Sequence, residues 1–337
     1  MARGVAPAMV LLLWRDGAPL AELAAGRADP ETVFDLASLT KPLATALLAV
    51  ELGAAGVLAW ESPLAELWGP AVPADKAPVT VYQLLVHAAG FPAHRPYHTL
   101  LRRHPRPSRR GLLKAMLMNE PLEHPPGTRA LYSDLGYLLL GLLLEEAAGR
   151  RLPAAVSRVY SRLGVEGPRY LPRGEPLPWP RERIAPCGSR PGRPRIQGEV
   201  EDDNAHALGG AAGHAGLFGT ARQVAAVMDA LCRAAAGDGP WPRDWPARLL
   251  ARDQATPGSS RTPGFDTPTG PRSAAGADPP PGVVGHLGFT GVSLWWHPAG
   301  NRGVVLLCNR LAGGAGREEM RAFRHRLHGP CWRALGL

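Results

Sequence analysis

A mixed α/β fold, with one antiparallel sheet built from both ends of the chain, flanked by helices and interrupted by a helical insertion, is predicted by three observations. Apolar strand-like runs open the chain, two more close it, and the stretch between them carries mainly helical periodicity. The chain has 337 residues, 45% hydrophobic and 20% charged, enough to bury a substantial core and to exclude disordered and fibrous classes. Its 40 glycines and 36 prolines call for many turns, but they follow no collagen-like period.

Val5 to Trp14 and Leu20 to Ala25, parted by Arg15-Asp16-Gly17, read as a hairpin with Asp-Gly turn chemistry. From Ser38 the spacing of Leu39, Leu43, Leu47, Val50 and Leu52 predicts an amphipathic helix, stopped at Gly53, with Pro42 in its first turn. Val79 to Ala88 and Leu135 to Ala148 read as helices. Residues 167–198, rich in proline and arginine, read as a poorly ordered surface connection. Gly219 to Ala236 predicts another helix, and Thr256 to Gly282 a second loop. Val283 to Trp296 and Gly303 to Asn309 read as strands, and about Arg317 to Leu327 as a closing helix. This divides the chain into a sheet domain over 1–55 and 205–337, and a mainly helical insertion over 56–204.

The formal charge is +9, and 35 of the 38 basic residues are arginine. Neither a basic helix nor an aromatic RNA-binding motif accompanies that charge, so nucleic acid is not an expected partner. A lysine retained among so many arginines is therefore informative, and there are three: Lys41, Lys76 and Lys114. Cys187, Cys232, Cys308 and Cys331 stand far apart and read as buried thiols, not as a zinc knuckle or disulfide framework. His94, His98 and His104 cluster without the H-E-x-x-H pattern, so no metal site is expected. The longest apolar stretch, Leu135 to Leu144, is too short to span a bilayer. The run from Ala8 to Trp14 reads as a strand, not a leader, so a cytoplasmic location away from membranes is expected.

Three motifs could carry chemistry. Ser38-Leu39-Thr40-Lys41 sets a hydroxyl and an amine three positions apart, on one face of a helix start. Lysine can take the serine proton if desolvation and the positive helix terminus lower its pKa; arginine cannot. The plainer alternative is a capping serine beside a solvated lysine. Tyr132-Ser133-Asp134 opens the apolar helix, where a phenol can relay a proton to a neighbouring amine, or where Asp134 simply caps the helix under Tyr132. Gly285-His286-Leu287-Gly288-Phe289-Thr290-Gly291 lies on the predicted strand, where glycines admit a ligand close to the backbone and N–H groups at its edge can face an oxyanion, unless they only shape a bulge or turn.

Taken together, in this order, the three motifs resemble the serine β-lactamase-like superfamily, which includes class C β-lactamases, D-Ala-D-Ala carboxypeptidases and related esterases. Leu84 to Pro92, Ala212 to Phe218 and Gly285 to Trp295 are similar to that family as well, most of all to its branch concerned with cell-wall turnover, including N-acetylmuramyl-L-alanine amidases. The resemblance implies a β-lactamase/transpeptidase-like fold and a cofactor-free hydrolase acting on a small ester, amide or muropeptide. It makes Ser38 the acylated nucleophile, Lys41 its base and Tyr132 the proton relay, with the N–H groups of Ser38 and Phe289 as the oxyanion hole. Asp134, His286, Gly288 and His214 would contact substrate, though His214 could equally be a structural turn residue. Two departures from class C β-lactamases stand out. Asp134 replaces an asparagine and His286-Leu287-Gly288 replaces Lys-Thr-Gly, so the strand lacks a permanent positive charge and weak or no β-lactamase activity is expected. The other readings are a true β-lactamase or DD-carboxypeptidase, and a catalytically silent protein that binds peptidoglycan-derived ligands.

Overall fold

In a computed structural model describing residues 4–337, the first apolar run becomes β1 (Ala8–Arg15) and turns into β2 (Ala18–Gly26). Asp16 and Gly17 both take positive φ, 54° and 80°, as a tight hairpin turn of this hand requires. The remaining strands are β3 (Phe34–Asp35), β4 (Arg169–Tyr170), β5 (Gly188–Arg190), β6 (Arg193–Ile196), β7 (Leu217–Gly219), β8 (Val284–Leu287), β9 (Ser293–His297) and β10 (Arg302–Cys308). The main sheet runs β2-β1-β10-β9-β8, with every neighbouring pair antiparallel. Met9 lies opposite Cys308 and Arg15 opposite Arg302, so strands from the two ends of the chain meet side by side.

The apolar run in β1 does not alternate with polar residues because both faces of the sheet are covered. Val10, Leu12, Val305 and Leu307 point into the large core shared with the helix Ala221–Ala236. Leu13, Val304 and Trp295 point the other way, onto Cys331, Trp332 and Leu335 of the closing helix. The longer helices are α1 (Leu47–Ala54), α2 (Arg109–Asn119), α3 (Asp134–Ala148), α4 (Leu152–Leu163), α5 (Ala221–Ala236) and α6 (Arg317–Ala334).

Several boundaries differ from the sequence reading. The helix foreseen from Ser38 is three pieces, a 3-10 turn over Ala37–Leu39, a wide π-helical stretch over Lys41–Ala46, and α1. It does not stop at Gly53, which lies against the ring of Trp245 where a Cβ would sit 2.2 Å from Cζ3; the chain turns at Gly56, φ 70°. The Val79 to Ala88 helix shrinks to Val81–Leu85, because His87 adopts φ 61° and breaks it. The predicted Gly219 start of α5 moves to Ala221, where Thr220 and Gln223 form a reciprocal cap. α6 runs past Leu327 to Ala334.

The connection over 167–198 is not loosely ordered. β4 pairs with β7, β5 with β6, and Ile184 bridges Val33. Arginine supplies the fixing bonds: Arg193 donates to the carbonyls of Val200 and Glu201, and Arg181 to that of Gln197. All four cysteines are buried free thiols, as the spacing implied.

Candidate active site

The nucleophile candidate is held in a strained turn. Ala37, just before Ser38, has φ 47°, a left-handed conformation unusual for a residue with a Cβ. The carboxylate of Asp35 secures it by accepting the Ala37 N–H at 2.8 Å on one oxygen and the Glu201 N–H at 2.7 Å on the other. The Asp35 carbonyl also accepts the Thr290 hydroxyl at 2.9 Å. One residue thus ties the Ser38 turn to the loop carrying Phe289. Burial raises the Asp35 carboxyl to about 7, although both N–H donors oppose the shift.

Ser38 Oγ lies 3.0 Å from Lys41 Nζ and accepts the Tyr132 hydroxyl at 2.9 Å. Lys41 is fully buried and also donates to Asp134 Oδ1 at 2.7 Å and to the His214 carbonyl at 3.3 Å. Its ammonium stands 4.8 Å from the centre of the Tyr132 ring. The structure therefore brings Ser38, Lys41, Tyr132 and Asp134 into one hydrogen-bonded group.

Two expectations for this group are corrected. Burial does pull the Lys41 ammonium down, but Asp134 and Tyr132 outweigh it and the net direction is up, so the amine is charged at neutral pH. Asp134 does not cap α3 either. Ser133 does, accepting the Gly136 N–H at 3.1 Å, and so the Asp134 carboxylate turns onto Lys41, where its charge is neutralised instead of repelling an anionic ligand. Burial likewise raises the Tyr132 phenol, against the lowering influence of Lys41.

His286 lies on β8, its Nδ1 2.9 Å from the Leu287 carbonyl, and its Nε2 is buried without a partner. Burial, then the charges of Lys41 and Arg261, hold it well below the usual histidine range, so it is neutral throughout the physiological interval rather than titrating near 6.5. Gly288 is sterically required, since a Cβ there would stand 2.3 Å from Val292 Cγ2 and 3.0 Å from the Leu36 carbonyl. That close approach sets the end of β8 against the Ser38 turn. The amides of Ser38 and Phe289 are not used in the hydrogen bonds of the surrounding turns and loops. Both residues line a cleft of about 770 Å³, together with Tyr132, Asp134, His214, His286 and Gly288. Within it the His214 ring is anchored by Nε2 to Asp202 at 2.9 Å. Of the other histidines singled out, His206 pairs with Glu199 at 3.1 Å, and His94 stands 4.0 Å from Asp134.

Sequence reasoning missed three residues besides Asp35. His87 accepts the Ser133 N–H on Nδ1 at 3.1 Å and packs between Tyr132 and Tyr137, with ring centres 4.6 and 4.8 Å away. It positions the phenol, and its only sequence signal is its place in the Leu84 to Pro92 stretch. Arg261 comes from the long loop after Thr256, with its guanidinium 5.5 Å from the centre of the Tyr132 ring. Asp266 anchors it at 3.2 Å and is itself bridged through its backbone to Gly285.

The Beta-lactamase family model matches residues 1–328 of this sequence. The chain belongs to the beta-lactamase family. This family member is 28% identical over 320 residues to the "Putative D-alanyl-D-alanine carboxypeptidase" of Escherichia coli (strain K12), covering 84% of this chain and 70% of that protein. It is 28% identical over 319 residues to the N-acetylmuramyl-L-alanine amidase of Bacillus subtilis (strain 168), covering 83% and 68% respectively. Among solved structures, a penicillin-binding protein homolog from Caulobacter crescentus superposes with a TM-score of 0.70 at 21% identity, over 99% of this chain and 94% of that one. The fold is β-lactamase/transpeptidase-like, and the chain is a serine hydrolase of this family.

Proposed function

We propose that this β-lactamase-family hydrolase cleaves an ester or amide of a small molecule, a cell-wall fragment being the favoured class, through an acyl-enzyme on Ser38. The observation that carries the reading is the pair of proton-handling groups, Lys41 Nζ at 3.0 Å and Tyr132 at 2.9 Å, on either side of Ser38 Oγ in the wall of a cleft.

The charge state dictates the route. Lys41 acts as base in the molecules that have exchanged its ammonium proton to solvent, and Asp134, 2.7 Å away, sets how readily that proton is lost. The amine freed in that exchange takes the Ser38 proton as Oγ bonds to the substrate carbonyl carbon. Tyr132 then protonates the departing alkoxide or amine and regains its proton from the Lys41 ammonium beside it. In the second half water attacks the acyl carbon and passes its proton to Tyr132 and Lys41, and Lys41 Nζ, 3.0 Å from Ser38 Oγ, returns that proton to the serine oxygen as the acyl bond breaks and the acid product leaves. The unspent amides of Ser38 and Phe289 are the donors assigned to the oxyanion. Arginine could not replace Lys41, since a guanidinium does not give up its proton.

Mass spectrometry after exposure to a fluorophosphonate or a penicillin should find one adduct, on Ser38. Ser38→Ala should lower nitrophenyl-ester turnover by about 10³-fold or more. Retained turnover in that variant rules the mechanism out. Parallel incubation with MurNAc-peptides, a simple ester and nitrocefin separates amidase, esterase and β-lactamase activity.

A further inference from the structure

A second cavity, of about 690 Å³, shares no lining residue with the catalytic cleft. It opens where segments far apart in the chain meet: Pro7 and Ala8 at the start of β1, Arg27 just after β2, the stretch from Arg181 to Gln197, and Asn309 just after β10. Bonds between these segments fix its frame. Arg27 donates its N–H to the Pro7 carbonyl at 2.9 Å, and Ala185 donates to the Val33 carbonyl at 2.8 Å. The Asn309 side chain joins the Ala8 N–H to the Pro186 carbonyl, at 2.9 Å on each side. A cavity framed in this way holds its shape before any ligand arrives, which lowers the cost of binding one.

Three arginines line the cavity, Arg27, Arg181 and Arg195, all of them exposed. Among the described residues none has a carboxylate within 4.0 Å, although arginines two positions away do: Arg183 pairs with Glu31 at 2.9 Å, and Arg193 reaches Glu199 at 3.8 Å. Arg27 and Arg195 make no side-chain hydrogen bond among those residues, and Arg181 spends only Nη1, on the Gln197 carbonyl. The uncharged polar groups of the wall are already committed. The Thr32 hydroxyl is bonded to Asp29, Gln197 gives Nε2 to the carbonyls of Arg181 and Ile184, and Asn309 is used at both ends of its amide. Glu182 is the one acid in the wall and pairs with none of the three. Between the cations the surface is apolar, from Pro7, Ala185, Pro186 and Ala312.

We propose that this cavity is a binding site for a small phosphate monoester with an apolar body, separate from the acyl-transfer machinery and independent of it. Three cations against one acid leave a surplus of two positive charges in the wall, which a phosphate monoester nearly cancels at neutral pH and a carboxylate only halves. Guanidiniums suit phosphate because each can grip two oxygens at once. The apolar surface between them takes the rest of the ligand, as in small-molecule sites generally. Such a ligand ties both ends of the chain to the connection between them, and so stabilises the folded protein by mass action.

Phenyl phosphate, benzoate and inorganic phosphate, titrated separately into the full-length protein by calorimetry, test the site. Phenyl phosphate should saturate and bind at least about ten-fold tighter than either of the others, because it alone offers both the headgroup and the apolar body. It should also raise the thermal midpoint of the wild type. Arg27→Met combined with Arg195→Met should weaken phenyl phosphate at least about ten-fold and remove that rise. Arg195→Lys, which keeps the charge and loses the fork, should fall between wild type and Arg195→Met. Either single substitution, at an exposed side chain with no hydrogen bond to lose, covers the case in which the double variant is unstable. Arg317→Met, in the catalytic cleft, should leave the affinity unchanged. Binding that never saturates, that benzoate matches, that survives the loss of Arg27 and Arg195, or that Arg317→Met removes, overturns the site.

Discussion

Lys41 is charged because Asp134 and Tyr132 together outweigh burial, which makes the Asp134 carboxylate a control on the alkaline side of the pH profile. Asp134→Asn removes both the charge and the strong acceptor, so burial prevails and the ammonium loses its proton more readily. The rising limb of kcat/KM against pH should therefore move to lower pH in that variant; a limb that stays in place would mean that Lys41 is not the base. Asp35 works in the opposite sense. Its carboxyl, raised to about 7 by burial, keeps a proton in the folded chain that the unfolded chain releases near the ordinary aspartate value of 3.8. Stability from this residue therefore falls as pH rises from about 4 to 7, by up to about 4 kcal/mol. Urea titrations should show that slope in the wild type and lose it in Asp35→Asn. The same variant has one acceptor oxygen for two N–H groups, so Ser38 is less well held and kcat should drop about ten-fold or more. At this scale the residues inside local motifs, Ser38, Lys41 and Tyr132, were legible because helix spacing and charge chemistry mark them. Asp35, His87 and Arg261 were not, since each acts through a contact with a distant segment that no local pattern encodes.

Among the elements, α3 shows how a one-residue shift in a cap redirects chemistry. Ser133 Oγ accepts from Gly136 and donates to the Pro92 carbonyl at 2.6 Å, so it both starts the helix and fastens Tyr132 and Asp134 to the neighbouring loop. Ser133→Ala should cost about 1–2 kcal/mol in thermal or urea unfolding and lower kcat as the phenol loosens. An unchanged midpoint would show that the cap is dispensable. Sequence periodicity located α3, α5 and the hairpin because long apolar faces and turn residues carry strong signals. It misjudged 167–198, where short strands owe their order to arginines reaching distant carbonyls, a tertiary effect that composition alone reads as looseness.

For the molecule as a whole, the decisive feature is that β1 finds its partner, β10, some 300 positions later. Such pairing delays assembly, since a very long loop must close before the contact gives any return. A chain ending at residue 282 lacks β8, β9, β10 and α6, which leaves Val10, Leu12 and Leu13 without the strand and helix that cover them. It should show no cooperative unfolding transition and should aggregate on release; a sharp urea transition in that fragment would mean that the insertion folds alone. The union of the two ends was readable from apolar runs at both extremities. The burial of both sheet faces was not, because it depends on α6 reaching Trp332 and Leu335, beyond the predicted stop at Leu327.

The scarcity of lysine has a practical sequel. Lys41 and Lys76 are sealed within the protein, at 0% and 1% exposure, while Lys114 lies near the surface, against Trp68 and Glu146. Reagents that acylate primary amines under mild conditions should thus mark Lys114 alone among the lysines. A dye attached through Lys114 would sit on a side chain that is not among those lining the cleft.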